Sequence, residues 1–315
     1  MERRQVLTAL GLGVLGLGGS AVLSGCVGGG GSGAATPPGG IRGMNGAGEP
    51  FGNGIGEAVG AATSGPRSSA TPAPSATATG APSASPAPPT SAPTPAPFVP
   101  ITRLPVPRGT ITGLPNNGVA GEQNLLAWTV DDGADDVTVR RYAEFAAATG
   151  TRLTFFVNGF YRPWTDHAAL LRPLVQSGQV QIANHTWSHQ ALTKLDDAGI
   201  IFQLQKNHDF ISETFGVDAR PYFRPPFGYH DGRVDRVAAS IGYTVPTLWY
   251  GSLSDSGRIT EDQIMQFANE WFRPQHIVIG HANFVPVANR FDQLRALITE
   301  RGLRTVTLND VFGGN

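Results

Sequence analysis

Two short segments carry residue types that can do chemistry together. Asp131-Asp132 ends an apolar run, and His185-Thr186-Trp187-Ser188-His189 follows about fifty residues later. One carboxylate and two imidazoles can hold a divalent metal while leaving positions open, which is the donor set of a catalytic rather than a structural site. The second carboxylate, adjacent but not ligating, is then free to act as a base beside that metal. Neighbours on an extended chain point to opposite sides, so the two aspartates should differ in role. Two histidines four apart share one face if the segment turns helically. The same spacing also describes an ordinary surface pair, and paired acidic residues also open helices, a role open to Asp135 and Asp136.

The elements that must position these residues alternate along the chain. Strand-like apolar runs occur at 125–130, 153–157, 180–183, 222–224, 244–249, 277–279 and 305–308. Helical patterns lie between them, at 135–148, 166–176, 196–215, 231–240, 261–272 and 289–299, with Gly150, Gly178 and Gly216 as stops. Pro246 marks the fifth run as an edge or a bulge. Such alternation predicts parallel βα units. The expected fold is α/β, a distorted (β/α) barrel of about seven parallel strands, with an open doubly wound sheet as the alternative. Asp131-Asp132, His185, Arg224, the 249–255 stretch and His281 all fall at or just past strand ends. In β/α barrels the site is assembled there, from several strands.

The rest of the 315-residue chain divides by composition. Residues 1–26 read as a lipoprotein-type export signal. Arg3-Arg4 precede a Gly-rich apolar stretch, Leu7 to Leu23, that is marginal for a membrane span, and Leu23-Ser24-Gly25-Cys26 resembles a lipoprotein box. Cys26 is the sole cysteine, so no intrachain disulfide can form. Residues 27–100, rich in Gly, Pro, Ala, Ser and Thr, lack the apolar mass to offset ordering entropy and are expected to form a disordered tether. Residues 101–315 form the folded, catalytic domain. The formal net charge is −1, which gives no electrostatic case for nucleic acid. The expected location is outside the cell, at a bacterial membrane through a lipid on Cys26, facing the cell wall. The two arginines allow twin-arginine export.

Three stretches together resemble the polysaccharide deacetylase family (carbohydrate esterase family four): Thr129-Val130-Asp131-Asp132-Gly133, the 185–189 segment, and Arg224-Pro225-Pro226-Phe227-Gly228-Tyr229. The resemblance covers about residues 123–312. It implies a distorted barrel that removes acetyl groups from N- or O-acetylated sugars with a divalent metal, zinc first and cobalt or nickel as alternatives. Carried over residue by residue, Asp131 is the general base, and Asp132, His185 and His189 ligate the metal. Arg224 orients Asp131, and His281, in Ile279-Gly280-His281, is the general acid. Asp255 supports a protonated His281. A backbone N–H in the Phe227-Gly228 turn stabilises the oxyanion, and Tyr229 lies beside the substrate.

The chain also departs from the family pattern. Ser256 stands where a tryptophan is usual, Ser252 replaces an acidic residue, and Ala282 replaces an aspartate. The first change removes a wall of the acetyl pocket. The expected partner is an acetylated polysaccharide. Hydrolysis of a non-sugar amide, or glycan binding without catalysis, are the alternatives. Trp164, Trp187, Tyr229 and Trp249 are candidates for sugar stacking or for core packing. His167 and His208 are expected to face solvent, and His230 is either a substrate contact or a loop residue.

Overall fold

Between residues 97 and 313, the span described by the computed structural model, the alternation becomes eight strands and eight α-helices. In chain order they are β1 (Leu125–Asp132), α1 (Asp136–Thr149), β2 (Leu153–Val157), α2 (Pro163–Asp166), α3 (Ala168–Gln176) and β3 (Val180–Asn184). Then follow α4 (Asp197–Phe215), β4 (Tyr222–Phe223), α5 (Gly232–Ser240), β5 (Val245–Pro246), β6 (Gly251–Ser252) and α6 (Glu261–Trp271). The chain closes with β7 (His276–His281), α7 (Phe291–Glu300), β8 (Arg304–Thr305) and α8 (Leu308–Val311). The export signal, Cys26 and nearly all of the 27–100 tether lie outside the described residues.

Local chemistry sets the element ends. Asp135 accepts the Thr138 N–H and starts α1, and Gly150, at φ 72°, ends it. Asp196 and Gly216 do the same for α4. All of β1 is buried, which is why it reads as a continuous apolar run rather than an alternating one. Its side chains still alternate. Leu126, Trp128 and Val130 pack outward under the helices, while Leu125 and Ala127 join Phe156, Ala183, Tyr222, Val245 and Ile277 on the inner face.

The strands are parallel, in the order β5-β4-β3-β2-β1-β7-β6, with β8 beside the start of β1. The sheet curls into a half-barrel, and no ladder joins β5 to β6. Instead the run expected as one strand over 244–249 divides. Its first part pairs with β4, and the chain then crosses to pair with β7. Residues 111–113 bridge the base of this gap, touching Thr247 on one side and His276 on the other. Pro246 sits at the β5 edge, where its missing N–H costs little. Three other boundaries moved. The strand expected over 305–308 is only Arg304–Thr305, because Thr307 caps a helix that Leu308 opens. The helix expected over 166–176 is two, α2 and α3, and the one over 289–299 begins as a 3-10 turn, Val285–Arg290.

The exit from β1 is the point on which the site turns. Gly133 has φ 102°, and a Cβ there would lie 2.2 Å from the Trp164 ring. That ring is fully buried and donates its indole N–H to the Asp132 carbonyl at 2.6 Å. Gly133→Ala should therefore both strain the backbone and displace Trp164, lowering stability by about 2–3 kcal/mol in urea unfolding.

Candidate active site

The centre of the site is Arg224, which is wholly buried. Its Nε donates to Thr247 O (2.9 Å), one terminal nitrogen to Thr129 Oγ1 (2.9 Å) and Asp131 Oδ1 (2.5 Å), and the other to Leu248 O (3.2 Å). Phe156 lies under the guanidinium, its ring centroid 4.0 Å from the guanidinium carbon. Asp131, at the end of β1, is thereby fixed with one oxygen bound and the other 3.4 Å from His185 Nε2. The Arg224 carbonyl faces His185 Nδ1 at 2.7 Å. A carbonyl can only accept, so Nδ1 carries a proton and Nε2 is the nitrogen that faces the two aspartates.

Asp132 turns the other way because its backbone is left-handed, φ 70°. Its Oδ1 is buried with no hydrogen-bond partner among the described residues, 3.4 Å from His185 Nε2 and 3.5 Å from His189 Nε2. Oδ2 accepts from Asn283 Nδ2 at 2.7 Å. Ligand atoms of Asp132, His185 and His189 lie within 4.8 Å of one another. A buried carboxylate oxygen without a hydrogen-bond partner, facing two imidazole Nε2 atoms, fits a divalent cation.

The two histidines do not share a helical face as the spacing suggested. Residues 185–191 form a loop, left-handed at Thr186 (φ 70°) and His189 (φ 56°), which brings the rings to 4.9 Å. Three asparagines hold that loop. Asn158 donates to the carbonyls of His185 and Thr186, Asn184 accepts from the Thr186 N–H and from Asn207, and Asn207 also holds the Val157 carbonyl and the Gly159 N–H.

His281 ends β7 and stands opposite. Its Nδ1 is 3.0 Å from Asp255 Oδ1, and its backbone N–H donates to Asp255 Oδ2 at 3.2 Å. Asp255 is buried and reached through a left-handed Ser254, φ 56°, whose N–H is accepted by Ser252 Oγ at 2.9 Å. Ser252, in place of an acidic residue, is thus part of the turn that delivers Asp255. Ser256 is exposed.

The turn after Arg224 decides which of its N–H groups is free. The Gly228 N–H is already donated to Pro225 O and that of Tyr229 to Pro226 O. The Phe227 N–H, at a left-handed residue of φ 61°, has no acceptor among the described residues, so an oxyanion donor here falls to Phe227 and not to Gly228. The Phe227 ring stands edge-on to His189, 4.6 Å between centroids, and both it and Tyr229 are about half exposed.

The surroundings drive the titrating groups apart. Burial penalises charge on Asp132, but His185, His189 and then His281 outweigh it and hold the carboxyl well below its usual range. Burial, then the charge of His185, pushes His189 down to about 4. Burial alone would lower His281 too. The hydrogen bond and charge of Asp255, followed by the charges of Asp132 and Asp131, raise it to about 9 instead. At neutral pH this gives a neutral His189 able to ligate and a protonated His281 able to donate.

Other sequence candidates lie elsewhere. Trp164 is core, fixing Asp132 rather than touching solvent. Trp187 is half-buried beneath Lys206, and Trp249 is half-buried beside Gly228. His230 pairs with Asp235 in its loop. His167 and His208 do not face solvent as expected. Their side chains are 15% and 12% exposed, bonded to Asp136 and Tyr243 respectively, because each closes a helix against its neighbour. Trp164 takes the core-packing alternative that the sequence offered, but its bond to Asp132 was not foreseen. Sequence reasoning gave no role to Thr129, Asn158, Asn207 or Asn283. Of these, Thr129 and Asn283, each two residues from a site residue, carried a signal by position. Asp255→Asn should lower the His281 titration midpoint by roughly a unit or more from about 9, read by NMR of the imidazole.

Residues 118–246 match the model of the family described as Polysaccharide deacetylase. The chain is similar to chitin deacetylase 1 of Cryptococcus neoformans var. grubii, 31% identical over 182 residues, covering 57% of this chain and 34% of that one. It is also similar to peptidoglycan-N-acetylmuramic acid deacetylase PdaC of Bacillus subtilis, 27% identical over 214 residues, covering 65% and 42%. The chain thus spans about a third to a half of the length of these relatives. Among solved structures, a deacetylase with bound substrate aligns at TM-score 0.53 and 27% identity, covering 60% of this chain and 90% of the other. A CE4 family pseudoenzyme from Bacillus anthracis aligns at TM-score 0.56 and 19% identity, covering 65% and 69%, and shows the fold alone.

Proposed function

The folded domain of this chain belongs to the polysaccharide deacetylase family, and on that premise we propose that the protein is a metal-dependent hydrolase that removes acetyl groups from a polysaccharide of the cell envelope. The observation that carries this reading is the juxtaposition of Asp131 on Arg224, the Asp132–His185–His189 triad and the Asp255-paired His281 on one rim of the barrel. A glycan-binding protein has no use for a protonated imidazole across from an arginine-held carboxylate.

Asp132, His185 and His189 would hold the cation, with zinc the first choice for one carboxylate and two imidazoles. Bound there, it supplies Lewis acidity toward the acetyl carbonyl and toward water. The residues of the chain do the rest. Asp131, ionised and kept in place by Arg224, takes a proton from the attacking water through Oδ2, since Oδ1 is engaged. The Phe227 N–H faces the oxygen on which charge grows, a contact worth about 2.7–4 kcal/mol in comparable holes. His281 Nε2 hands its proton to the departing nitrogen or oxygen, and Asp255 at Nδ1 holds the ring in the required tautomer. The half-exposed Phe227 and Tyr229 offer apolar faces to a sugar ring.

The names of the relatives, chitin deacetylase and peptidoglycan-N-acetylmuramic acid deacetylase, support an N-acetylated sugar polymer as the substrate. Export by the 1–26 segment and a lipid on Cys26 would set the domain at the outer membrane face, reaching the wall on the 27–100 tether. The exposed Ser256 favours a second reading, hydrolysis of a bulkier or non-sugar amide.

Acetate release from acetylated glycans, measured against a panel of linear and cyclic amides, separates the two. Chelator should abolish release and zinc restore it. Asp131→Asn should cut turnover by at least about a hundredfold while leaving zinc affinity near that of the parent, and normal turnover would sink the assignment of the base. Labelled fatty acid should enter the parent protein and not Cys26→Ala. Equal incorporation in the two would remove the anchor.

A further inference from the structure

Asn283 lies on no motif of the site, yet its side chain joins two of the site's parts. Its Nδ2 donates to Asp132 Oδ2 at 2.7 Å, and its Oδ1 accepts the Ala134 N–H at 3.2 Å. The orientation of the amide is fixed by these partners. A backbone N–H can only donate, so the oxygen must face Ala134 and the NH2 must face Asp132. The Asp132 Oδ2 is therefore the accepting oxygen of this bond.

Two main-chain bonds run alongside. The Ala282 N–H donates to Asp131 O at 3.0 Å, and the Asp135 N–H donates to Ala282 O at 3.1 Å. The segment after His281 is thus stitched to the end of β1 and the turn after it by four bonds, and Asn283 is the only side chain this segment contributes to them. With Oδ2 occupied, Oδ1 of Asp132 is the oxygen left to face His185 and His189. A carboxylate without this bond can rotate about its χ2, which is broad for aspartate, and can accept the cation through either oxygen.

We propose that Asn283 is a positioning residue for the metal: it holds Asp132 with Oδ1 presented to the cation and ties that ligand to the segment that carries His281. The proposal rests on the metal-site reading above. An aspartate here would set a second anion against Asp132, and an apolar residue would leave Oδ2 buried without a donor. The side-chain amide alone serves both neighbours without adding charge.

The test is zinc affinity, measured by competition with a chromophoric chelator, which needs no substrate. Asn283→Leu keeps the volume and removes both hydrogen bonds, and it should weaken zinc binding by about 10–100-fold, the range typical of such supporting residues. Asn283→Ser, too short to reach Asp132, gives the same reading if the leucine variant does not fold. Asp132→Asn serves as the control for loss of a ligand. Affinity within twofold of the parent in a folded Asn283 variant, with the control impaired, overturns the proposal and leaves the metal site standing. A parent that binds no zinc, cobalt or nickel overturns both. Zinc binding that depends on Asn283 in a protein that releases no acetate upholds this proposal and removes the deacetylase reading.

Discussion

The buried guanidinium of Arg224 is the constraint to which the site's other parts are referred. It lies at the mouth of the half-barrel and bonds to Thr129 and Asp131 of β1 and to the 247–248 carbonyls beyond β5. Its own carbonyl accepts a hydrogen bond from His185 Nδ1. Removing one partner of such a pair strands a charge in a low-dielectric interior, at a cost of about 3–5 kcal/mol. The pair is expensive to bury, so its value here is geometric. One cation fixes the direction of a base, the tautomer of a ligand and the path of the chain that crosses the open side of the sheet. That crossing matters because no ladder closes the gap between β5 and β6.

Around this rigid centre the rim is strained. Asp132, Thr186, His189, Phe227 and Ser254 all adopt left-handed backbone without being glycine, and each belongs to a strand-end loop of the site. Conformations of this kind cost of the order of 1–3 kcal/mol apiece and survive only where neighbours over-determine them. The neighbours are identifiable. Trp164 grips the Asp132 carbonyl, Asn158 and Asn184 grip the two sides of Thr186, and Ser252 caps Ser254. The barrel supplies positions, and these contacts convert positions into directions. An ordinary helical turn from His185 to His189 would have brought two imidazoles together without aiming them at Asp132.

How much of this the sequence discloses follows from the range of each interaction. The first three strand runs, the caps at Asp135 and Asp196 and the glycine stops at 150 and 216 are local, and they stand where the patterns put them. The placing of Asp131, His185, Arg224 and His281 at strand ends was legible for the same reason. The split of the 244–249 run was half legible. Pro246 signalled an edge, but the crossing to β7 depends on residues 111–113, more than a hundred positions away. Asn158 and Asn207 were not legible at all, and Trp164 was legible as a core ring but not as the donor to Asp132. Each is a common loop or helix residue until the fold brings its polar atom to a backbone group that nothing else can satisfy. The turn at Phe227 shows the opposite case. Its sequence named the right place, and only the geometry showed that Gly228 had already spent its N–H.

The two imidazoles that face each other across the site illustrate how one pocket sustains opposite states. Both are buried, and burial lowers both. His189 next feels the charge of His185 and falls to about 4, whereas His281 feels the hydrogen bond and charge of Asp255 and rises to about 9. The consequences for stability have opposite signs. The raised midpoint of His281 contributes stability that is fully present below the ordinary histidine value near 6.5 and is lost as pH climbs through about 9. The depressed midpoint of His189 contributes stability that is present above 6.5 and is lost as pH falls through about 4. The two windows overlap around neutrality, which is also where one ring is free to ligate and the other is charged to donate. A single carboxylate, Asp255, separates the two outcomes, and the turn built by Ser252 and Ser254 is what delivers it.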